Sequence, residues 1–180
     1  MARLSADGAH RYLLMREWSD GPRSVAWMML NPSTADHERD DPTIRRCITF
    51  SIDRGFDRMF VVNLFAFRST DPQVLVRLGS RDQAIGPQND AFILSTLKHA
   101  EALIVGWGST INARRRAGLV LAKIRSAWPG LPIKCLGITM EADPRHPLYV
   151  PRTFPLIDFP FQPFIDLVDG PTGQPQGPAA

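Results

Sequence analysis

The sequence predicts one α/β domain, built as a three-layer α/β/α sandwich around a largely parallel central sheet of about four core strands. Two observations lead to this fold class. Runs of consecutive apolar residues recur along the chain, and such runs are typical of strands buried on both faces of a sheet. Segments with helical spacing of apolar residues separate these runs, and strands that alternate with helices form right-handed crossovers and parallel pairs.

The predicted strands follow one another as short apolar segments. A first strand at 11–18 is joined to a second at 24–30 by the turn sequence Ser19-Asp20-Gly21-Pro22, and we expect these two strands to pair. The second strand is continuously apolar, as expected for a strand buried on both faces. The remaining core strands are predicted at 59–67, 102–107 and 133–138.

Helices are predicted between these strands. The first begins after Asp41, which can cap it, with Pro42 in its first turn, and it ends at Gly55. Two more are predicted at 89–99 and 113–128, of which the second is basic and amphipathic.

The composition indicates a single globular domain. The chain has 180 residues, of which 44% are hydrophobic and 22% are charged, enough for one core. We place this domain at 1–168 and interpret the Pro- and Gly-rich segment at 169–180 as a flexible tail. The net charge of +3 fits phosphate-containing partners and an ordinary solvated surface equally well.

Several functional classes lack their signatures in this sequence. The N-terminal segment has no signal-peptide run, and no stretch approaches the roughly 20 apolar residues of a membrane span. We therefore expect a soluble, cytoplasmic protein with no membrane partner. Cys47 and Cys135 match no metal-binding spacing, and the chain has no glycine-rich phosphate loop and no nucleophile elbow. We expect neither a metal nor another cofactor.

The predicted fold locates the ligand site. In open α/β sheets, ligands bind beyond the carboxyl ends of the strands. Four loops follow the predicted core strands, at 31–36, 63–71, 106–110 and 139–149, and they hold most of the unusual polar residues. We therefore expect a site assembled from these loops.

Two residues are the candidate catalytic groups. Asn31 directly follows a buried strand and could hold a water molecule or a substrate edge, although Asn-Pro-Ser-Thr is also a common turn and cap sequence. His146 titrates near neutrality, which suits an acid, a base or a charge stabiliser, and the alternative is a structural histidine.

Other residues of the four loops are candidate substrate contacts. Asn63 lies in an apolar strand, where an amide either clamps a neighbouring loop or faces a ligand. Phe65 and Phe67 are either core residues or stacking platforms, and Arg68 is placed to meet an anion. The complete set of predicted substrate contacts is Pro32, Ser33, Thr34, Asp36, Asn63, Phe65, Phe67, Arg68, Trp107, Arg145 and Tyr149.

Five motifs together carry a family resemblance. They are LNPSTAD (30–36), DDPTIRRC (40–47), VVNLFAFRSTDP (61–72), GWG (106–108) and PRHPLY (144–149). In this order they closely resemble the bacterial domain of unknown function 1643 family, over roughly 11–149. That family usually has Thr-Lys and an Asx-Gly pair before the His-Pro, where this chain has Thr139-Met140-Glu141-Ala142. The resemblance implies homology and no particular chemistry.

The chain is also similar, more distantly, to the uracil-DNA glycosylase superfamily. That superfamily is an α/β fold with a Pro-containing motif after its first core strand and a His-Pro motif after its last, so the similarity implies a uracil-DNA-glycosylase-like fold. It implies that Asn31 positions a water, that Phe65 or Phe67 stacks on a flipped base, and that His146 stabilises negative charge on the departing base. This sequence lacks the cysteines of the iron-sulfur branch.

Two hypotheses of function follow. The first is a glycosylase-like hydrolase, or a binder, that acts on a nucleobase, a nucleotide or a modified base in nucleic acid. The second is a non-catalytic module that binds nucleic acid or a protein partner through the basic helix segment. The basic residues of that segment are Arg114, Arg115, Arg116, Lys123 and Arg125.

Overall fold

A mixed sheet runs through the described part of the chain, with seven strands in the order β1-β2-β4-β3-β5-β6-β7. The computed structural model describes residues 1–109 and 113–169. The four central strands, β4, β3, β5 and β6, are mutually parallel, and the outer strands pair antiparallel. The mixed α/β class is therefore confirmed. The strands are β1 (Ala2–Leu4), β2 (Arg11–Glu17), β3 (Ser24–Met29), β4 (Arg58–Asn63), β5 (Ala102–Val105), β6 (Ile133–Cys135) and β7 (Ile157–Asp158).

Helices cover both faces of this sheet. Helix α1 packs on one face, and α4, α5 and α6 contribute to the core on the other. None of the helices in the two described ranges has the length and apolar character needed to cross a membrane. The helices are α1 (Pro42–Ile52), α2 (Val74–Arg77), α3 (Arg81–Ile85), α4 (Asn89–Leu97), α5 (Ala113–Ala127) and α6 (Gln162–Asp169), and a 3₁₀ turn spans Pro147–Tyr149.

Strand β3 is buried along its whole length, which explains its continuously apolar sequence. Its side chains alternate between the two faces, as the pleat of a strand requires. Ala26 and Met28 join the core beneath α4, α5 and α6, whereas Val25, Trp27 and Met29 join the core beneath α1. A strand of this kind is stable only where both faces are covered, so β3 lies at the centre of the sheet.

Helix α1 begins where the sequence predicts. The carboxylate of Asp41 accepts a hydrogen bond from the backbone N–H of Ile44 at 2.9 Å, and Pro42 occupies the first helical position. Cys47 and Phe50 continue the buried stripe that faces the sheet. This cap fixes the start of α1 beside the carboxyl end of β3, where the ligand site was expected.

The prediction that the first two core strands pair with each other is wrong. Strand β2 pairs antiparallel with β4, and β4 lies between β2 and β3. The burial pattern gives the reason, because β2 is partly exposed along its length while β3 is buried at every residue. The partly exposed strand therefore takes an outer position, and β3 takes parallel neighbours on both sides.

Some predicted boundaries are also too long. Strand β4 ends at Asn63 and not at Phe67. The N–H groups of Leu64 and Phe65 still donate to the carbonyls of Met29 and Leu30, but the carbonyls of Asn63 and Leu64 accept from the side chain of Asn89. Helix α6, whose Phe164 packs on α5, was not predicted from the sequence, and neither were the short strands β1 and β7. Thr110 of the predicted 106–110 loop and the predicted tail beyond position 169 lie outside the described residues.

The contact between α5 and α6 gives a test of the packing. A Cβ atom on Gly118 would overlap the backbone carbonyl oxygen of Phe164, so Gly118→Ala forces the two helices apart. We expect Gly118→Ala to lower the free energy of unfolding by about 1–3 kcal/mol, the usual cost of overpacking. Gly130→Ala is the matched control, because no atom lies near its added Cβ, and urea denaturation of both variants should separate them. Equal stabilities would contradict the observed packing of α6.

Candidate functional site

A cleft of about 420 Å³ opens at the carboxyl ends of β3, β4 and β5, beside the first turn of α1. This volume is within the range of small-molecule sites. The cleft brings together six of the predicted site residues, namely Asn31, Ser33, Asn63, Trp107, His146 and Tyr149. It also contains six polar residues that the sequence analysis did not assign to the site, namely Arg11, Asp41, Thr43, Ser69, Thr70 and Ser109.

Asn63 contributes a buried and unsatisfied amide to the cleft. It is the last residue of β4, it is only 1% exposed, and neither Nδ2 nor Oδ1 has a hydrogen-bond partner in the described part of the chain. A buried amide without partners costs free energy that a folded protein normally avoids. Asn63 therefore presents a donor and an acceptor that a ligand would satisfy.

A second buried asparagine holds Asn63 in place. The Nδ2 of Asn89 donates to the carbonyl oxygens of Asn63 at 3.0 Å and Leu64 at 3.2 Å. The carbonyl of Leu64 also accepts from Nε of Arg116, at 2.9 Å, and the other end of that guanidinium is bonded to Asp90. The side chains of Asn89 and Arg116 thus fix the backbone at the end of β4, while the side-chain amide of Asn63 remains unpaired in the described part of the chain.

Asn31 holds two loops together at the edge of the cleft. Its Nδ2 donates to the carbonyl oxygen of Pro32 at 3.1 Å and to that of Ser69 at 2.8 Å. Both amide protons are therefore used, and Oδ1 is the atom left to accept a hydrogen bond. Asn31 clamps the loop after β3 onto the loop after β4, and it can still orient a water or a ligand donor.

His146 also lines the cleft, as a neutral hydrogen-bond donor. Its Nδ1 accepts from the backbone N–H of Leu148 at 3.3 Å, which places the ring proton on Nε2. Burial lowers the pKa of His146 below 6.5, and the negative charge of Asp41 opposes this effect only in part. At neutral pH the imidazole therefore carries no charge and can donate one hydrogen bond from Nε2.

Asp41 and Arg11 supply the charges of the cleft. The sequence assigned Asp41 only a capping role, but its carboxylate has two oxygens, and Oδ1 alone serves the cap of α1. Arg11 is the first residue of β2, and desolvation lowers the pKa of its buried guanidinium to about 10. Arg11 directly precedes the apolar run at 12–15, and a charged residue next to such a run was the signal that would have drawn attention to it.

Two aromatic residues border the cleft. The indole of Trp107 packs edge-on against Phe159 and Phe164, and its Nε1 has no partner among the described residues. Tyr149 lies at the rim with 81% of its surface exposed, and its ring centroid is 5.7 Å from that of His146. Tyr149 is therefore free to contact a bound molecule.

The structure does not bring the other predicted contacts into the cleft. Asp36 accepts from the backbone N–H groups of Glu38 and Arg39 and thereby closes its own turn. Pro32 contributes only a carbonyl to the loop clamp, Thr34 is exposed, and Arg145 is an exposed side chain bonded to the carbonyl of Ile138.

The three remaining candidates face other surroundings. Phe65 lines a separate apolar cavity under α2, and Phe67 lies edge-on to His10. Arg68 donates to the carbonyl of Gly8, away from the cleft. Side chains that follow Asn63 lie beyond the regular part of β4, so strand alternation did not predict their directions.

The basic run at the start of α5 does not form one surface. Arg114 is paired with Asp143 and lies over the ring of Phe164, whereas Arg116 is buried and paired with Asp90. Lys123 is also bonded to Asp90. Arg115 is exposed, but its two neighbours serve the packing of α5.

Comparisons with known proteins give one match. A family model described as a protein of unknown function, DUF1643, matches residues 11–148. No curated protein and no solved structure matches the chain.

The two buried asparagines give a test of the site. Because the amide of Asn63 is unpaired, we expect Asn63→Leu to raise the free energy of unfolding by about 1 kcal/mol. Asn89 donates to two buried carbonyls, so we expect Asn89→Leu to lower it by about 1–3 kcal/mol. Urea denaturation of the two variants measures both effects. A similar loss of stability in both would mean that the amide of Asn63 is structural.

The neutral state of His146 gives a pH dependence. Its pKa in the folded protein lies below the unfolded value of 6.5, so the unfolded state binds the proton first as the pH falls. The stability that depends on the neutral imidazole of His146 is fully present above pH 6.5. It is lost as the pH falls from 6.5 towards the pKa of His146 in the folded protein, and it does not change further below that pKa. Unfolding free energies across this window should fall less steeply in His146→Gln than in the wild type. Identical slopes would contradict the burial of a neutral imidazole.

Proposed function

Since the chain belongs to the DUF1643 family, whose description assigns no activity, we infer its function from the cleft and propose that it binds a nucleobase and hydrolyses the N-glycosidic bond to it. The observation that carries this proposal is the buried amide of Asn63, with both polar atoms unpaired, in a cleft that also contains Asn31, Asp41 and His146. Each of these groups has a place in the proposed reaction.

The amide of Asn63 suits the edge of a nucleobase. An amide offers a donor and an acceptor side by side, and the lactam edge of a pyrimidine or purine offers the complementary pair. Both polar atoms of Asn63 are unpaired in the described structure, so the edge of a base would supply hydrogen bonds that the described residues do not. A planar ligand that reaches the end of β4 would recover both hydrogen bonds.

His146 suits the departure of that base. When the N-glycosidic bond breaks, its electron pair stays on the base nitrogen, and the base leaves as an anion. A neutral imidazole that donates from Nε2 stabilises this developing charge without giving up its own proton. The lowered pKa of His146 keeps the ring in the required neutral form at pH 7.

Asn31 and Asp41 suit the attacking water. The oxygen of the water forms a bond to the anomeric carbon of the sugar, and one proton of the water must leave. The carboxylate of Asp41 can accept that proton, and Oδ1 of Asn31 can orient the water by accepting its other proton. The released base takes up the proton from Asp41, so the reaction returns the site to its starting state.

Tyr149 replaces the predicted stacking aromatics in this proposal. Phe65 and Phe67 lie outside the cleft, whereas Tyr149 stands at its rim. A ring at the rim can cover one face of a bound base, a contact worth about 1–3 kcal/mol in nucleic-acid proteins. The similarity of the sequence motifs to the uracil-DNA glycosylase superfamily supports the same class of reaction.

Binding without catalysis through the basic helix is the less favoured function. That hypothesis needs a continuous basic surface on α5, and the arginines of the run have different partners. Arg115 is the exposed member of the run and therefore a suitable control residue.

Base release tests the proposal directly. Purified protein is incubated with nucleosides, nucleoside monophosphates and oligonucleotides that contain uracil or other modified bases, and the free base is measured by chromatography. We expect release that falls by about 10²–10³-fold in His146→Ala and by about 10²–10⁴-fold in Asp41→Asn, and that is unchanged in Arg115→Ala. Full activity in both His146→Ala and Asn31→Ala would exclude this mechanism, and binding without release would favour the non-catalytic module.

A further inference from the structure

The guanidinium of Arg11 is a buried charge whose partners are incomplete. The residue is only 2% exposed and lies in the wall of the cleft. Its Nη1 donates to the carbonyl oxygen of Ala35 at 2.6 Å, but its Nε has no partner in the described part of the chain. None of the ion pairs found among the described residues includes Arg11. A buried cation normally has an anionic partner, because desolvation without one is costly.

The nearby charges do not complete this partner set. Asp41 and Asp36 favour the charged form of Arg11, whereas Arg68 and Arg16 oppose it. Asp36 is committed to its own turn, and one oxygen of Asp41 is committed to the cap of α1. Arg16 is itself paired with Asp40. The protein therefore leaves the guanidinium of Arg11 with capacity to bind an anion from the cleft.

Hydroxyl groups stand in the same cleft as this cation. Ser33 follows the loop clamp of Asn31, and Thr43 lies in the first turn of α1, and both are half-buried. Thr70 lies nearer to the solvent. Hydroxyl donors combined with an arginine are a common environment for phosphate oxygens, because both supply hydrogen bonds and the guanidinium also supplies charge.

We propose that Arg11, with the hydroxyls of Ser33 and Thr43, forms a subsite for the terminal phosphate of a nucleoside monophosphate. The substrate class is then a free nucleotide, in which the phosphate binds at Arg11 while the base binds at Asn63. This inference rests on the proposed function, since it assumes that the cleft binds a nucleobase.

The burial of Arg11 favours a terminal phosphate over a nucleic-acid backbone. A phosphodiester continues in both directions from the phosphate, so the chain would need two exits from the cleft. A terminal phosphomonoester has one substituent and can enter a buried subsite completely. The volume of about 420 Å³ accommodates a base, a sugar and one phosphate, which is a small ligand by the standards of protein sites.

Calorimetric titration of the whole chain tests this inference. The four common nucleosides, their 5′-monophosphates and a single-stranded oligonucleotide are the probes, and the preference for each monophosphate over its nucleoside is measured. We expect the wild type to bind at least one monophosphate about 10–100-fold more tightly than the matching nucleoside, and inorganic phosphate to compete with the monophosphate. In Arg11→Met we expect this preference to fall to about 1, while nucleoside binding stays within a few-fold of the wild type.

Three controls separate the possible failures. Arg11→Lys keeps the charge and should keep part of the preference, which guards against a folding defect from the lost bond to Ala35. Arg115→Met removes an exposed arginine and should leave the preference unchanged. Competition by inorganic phosphate uses only the wild type and does not depend on the folding of any variant.

Each remaining outcome has a distinct meaning. Equal binding of nucleosides and monophosphates to the wild type would overturn the phosphate subsite and leave the proposed function standing. Tighter binding of the oligonucleotide than of every monophosphate would overturn it in favour of nucleic acid. Binding of none of the probes, together with no release of base, would overturn the proposed function and the subsite with it.

Discussion

The complete burial of β3 is the constraint on which the rest of this structure depends. A strand of six residues that is buried on both faces must be covered by helices on both sides and must have a strand at each edge. Helix α1 covers one face of β3, and α4, α5 and α6 cover the other face. The same constraint brings the ends of β3, β4 and β5 to one edge of the sheet, where their loops enclose the cleft.

Two asparagines near the end of β4 show how the fold serves the cleft. Asn89 is fully buried and donates its amide protons to the carbonyls of Asn63 and Leu64, at the point where the regular part of β4 ends. Asn63 is equally buried, but its own amide has no partner in the described structure. The first residue therefore stabilises the fold, whereas the second leaves a buried donor and acceptor unpaired among the described residues, at a cost in free energy. Such unpaired groups are common where a protein is adapted for function more than for stability.

The electrostatics of the cleft divide it into two parts. His146 is kept neutral by burial, and it can donate a hydrogen bond to a group that becomes negative during a reaction. Arg11 is a buried cation without an ion pair in the described residues, and it can bind a group that is negative throughout. Asp41 lies in the same cleft and influences both residues, since its charge raises the pKa of each. A ligand with a neutral ring and an anionic end would match this division.

The sequence alone determined the mixed α/β class, the start of α1 at Asp41 and the loops after the core strands, because apolar runs and caps are local signals. The sequence also identified three residues that line the cleft. Asn31 lies in the loop after β3, Asn63 ends β4, and His146 precedes the 3₁₀ turn. The tertiary structure decided that β2 pairs with β4, that Phe65, Phe67 and Arg68 point elsewhere, and that Arg11 belongs to the site. The physical reason is that strand pairing and side-chain direction beyond a strand end depend on packing between distant segments, which local sequence patterns do not contain.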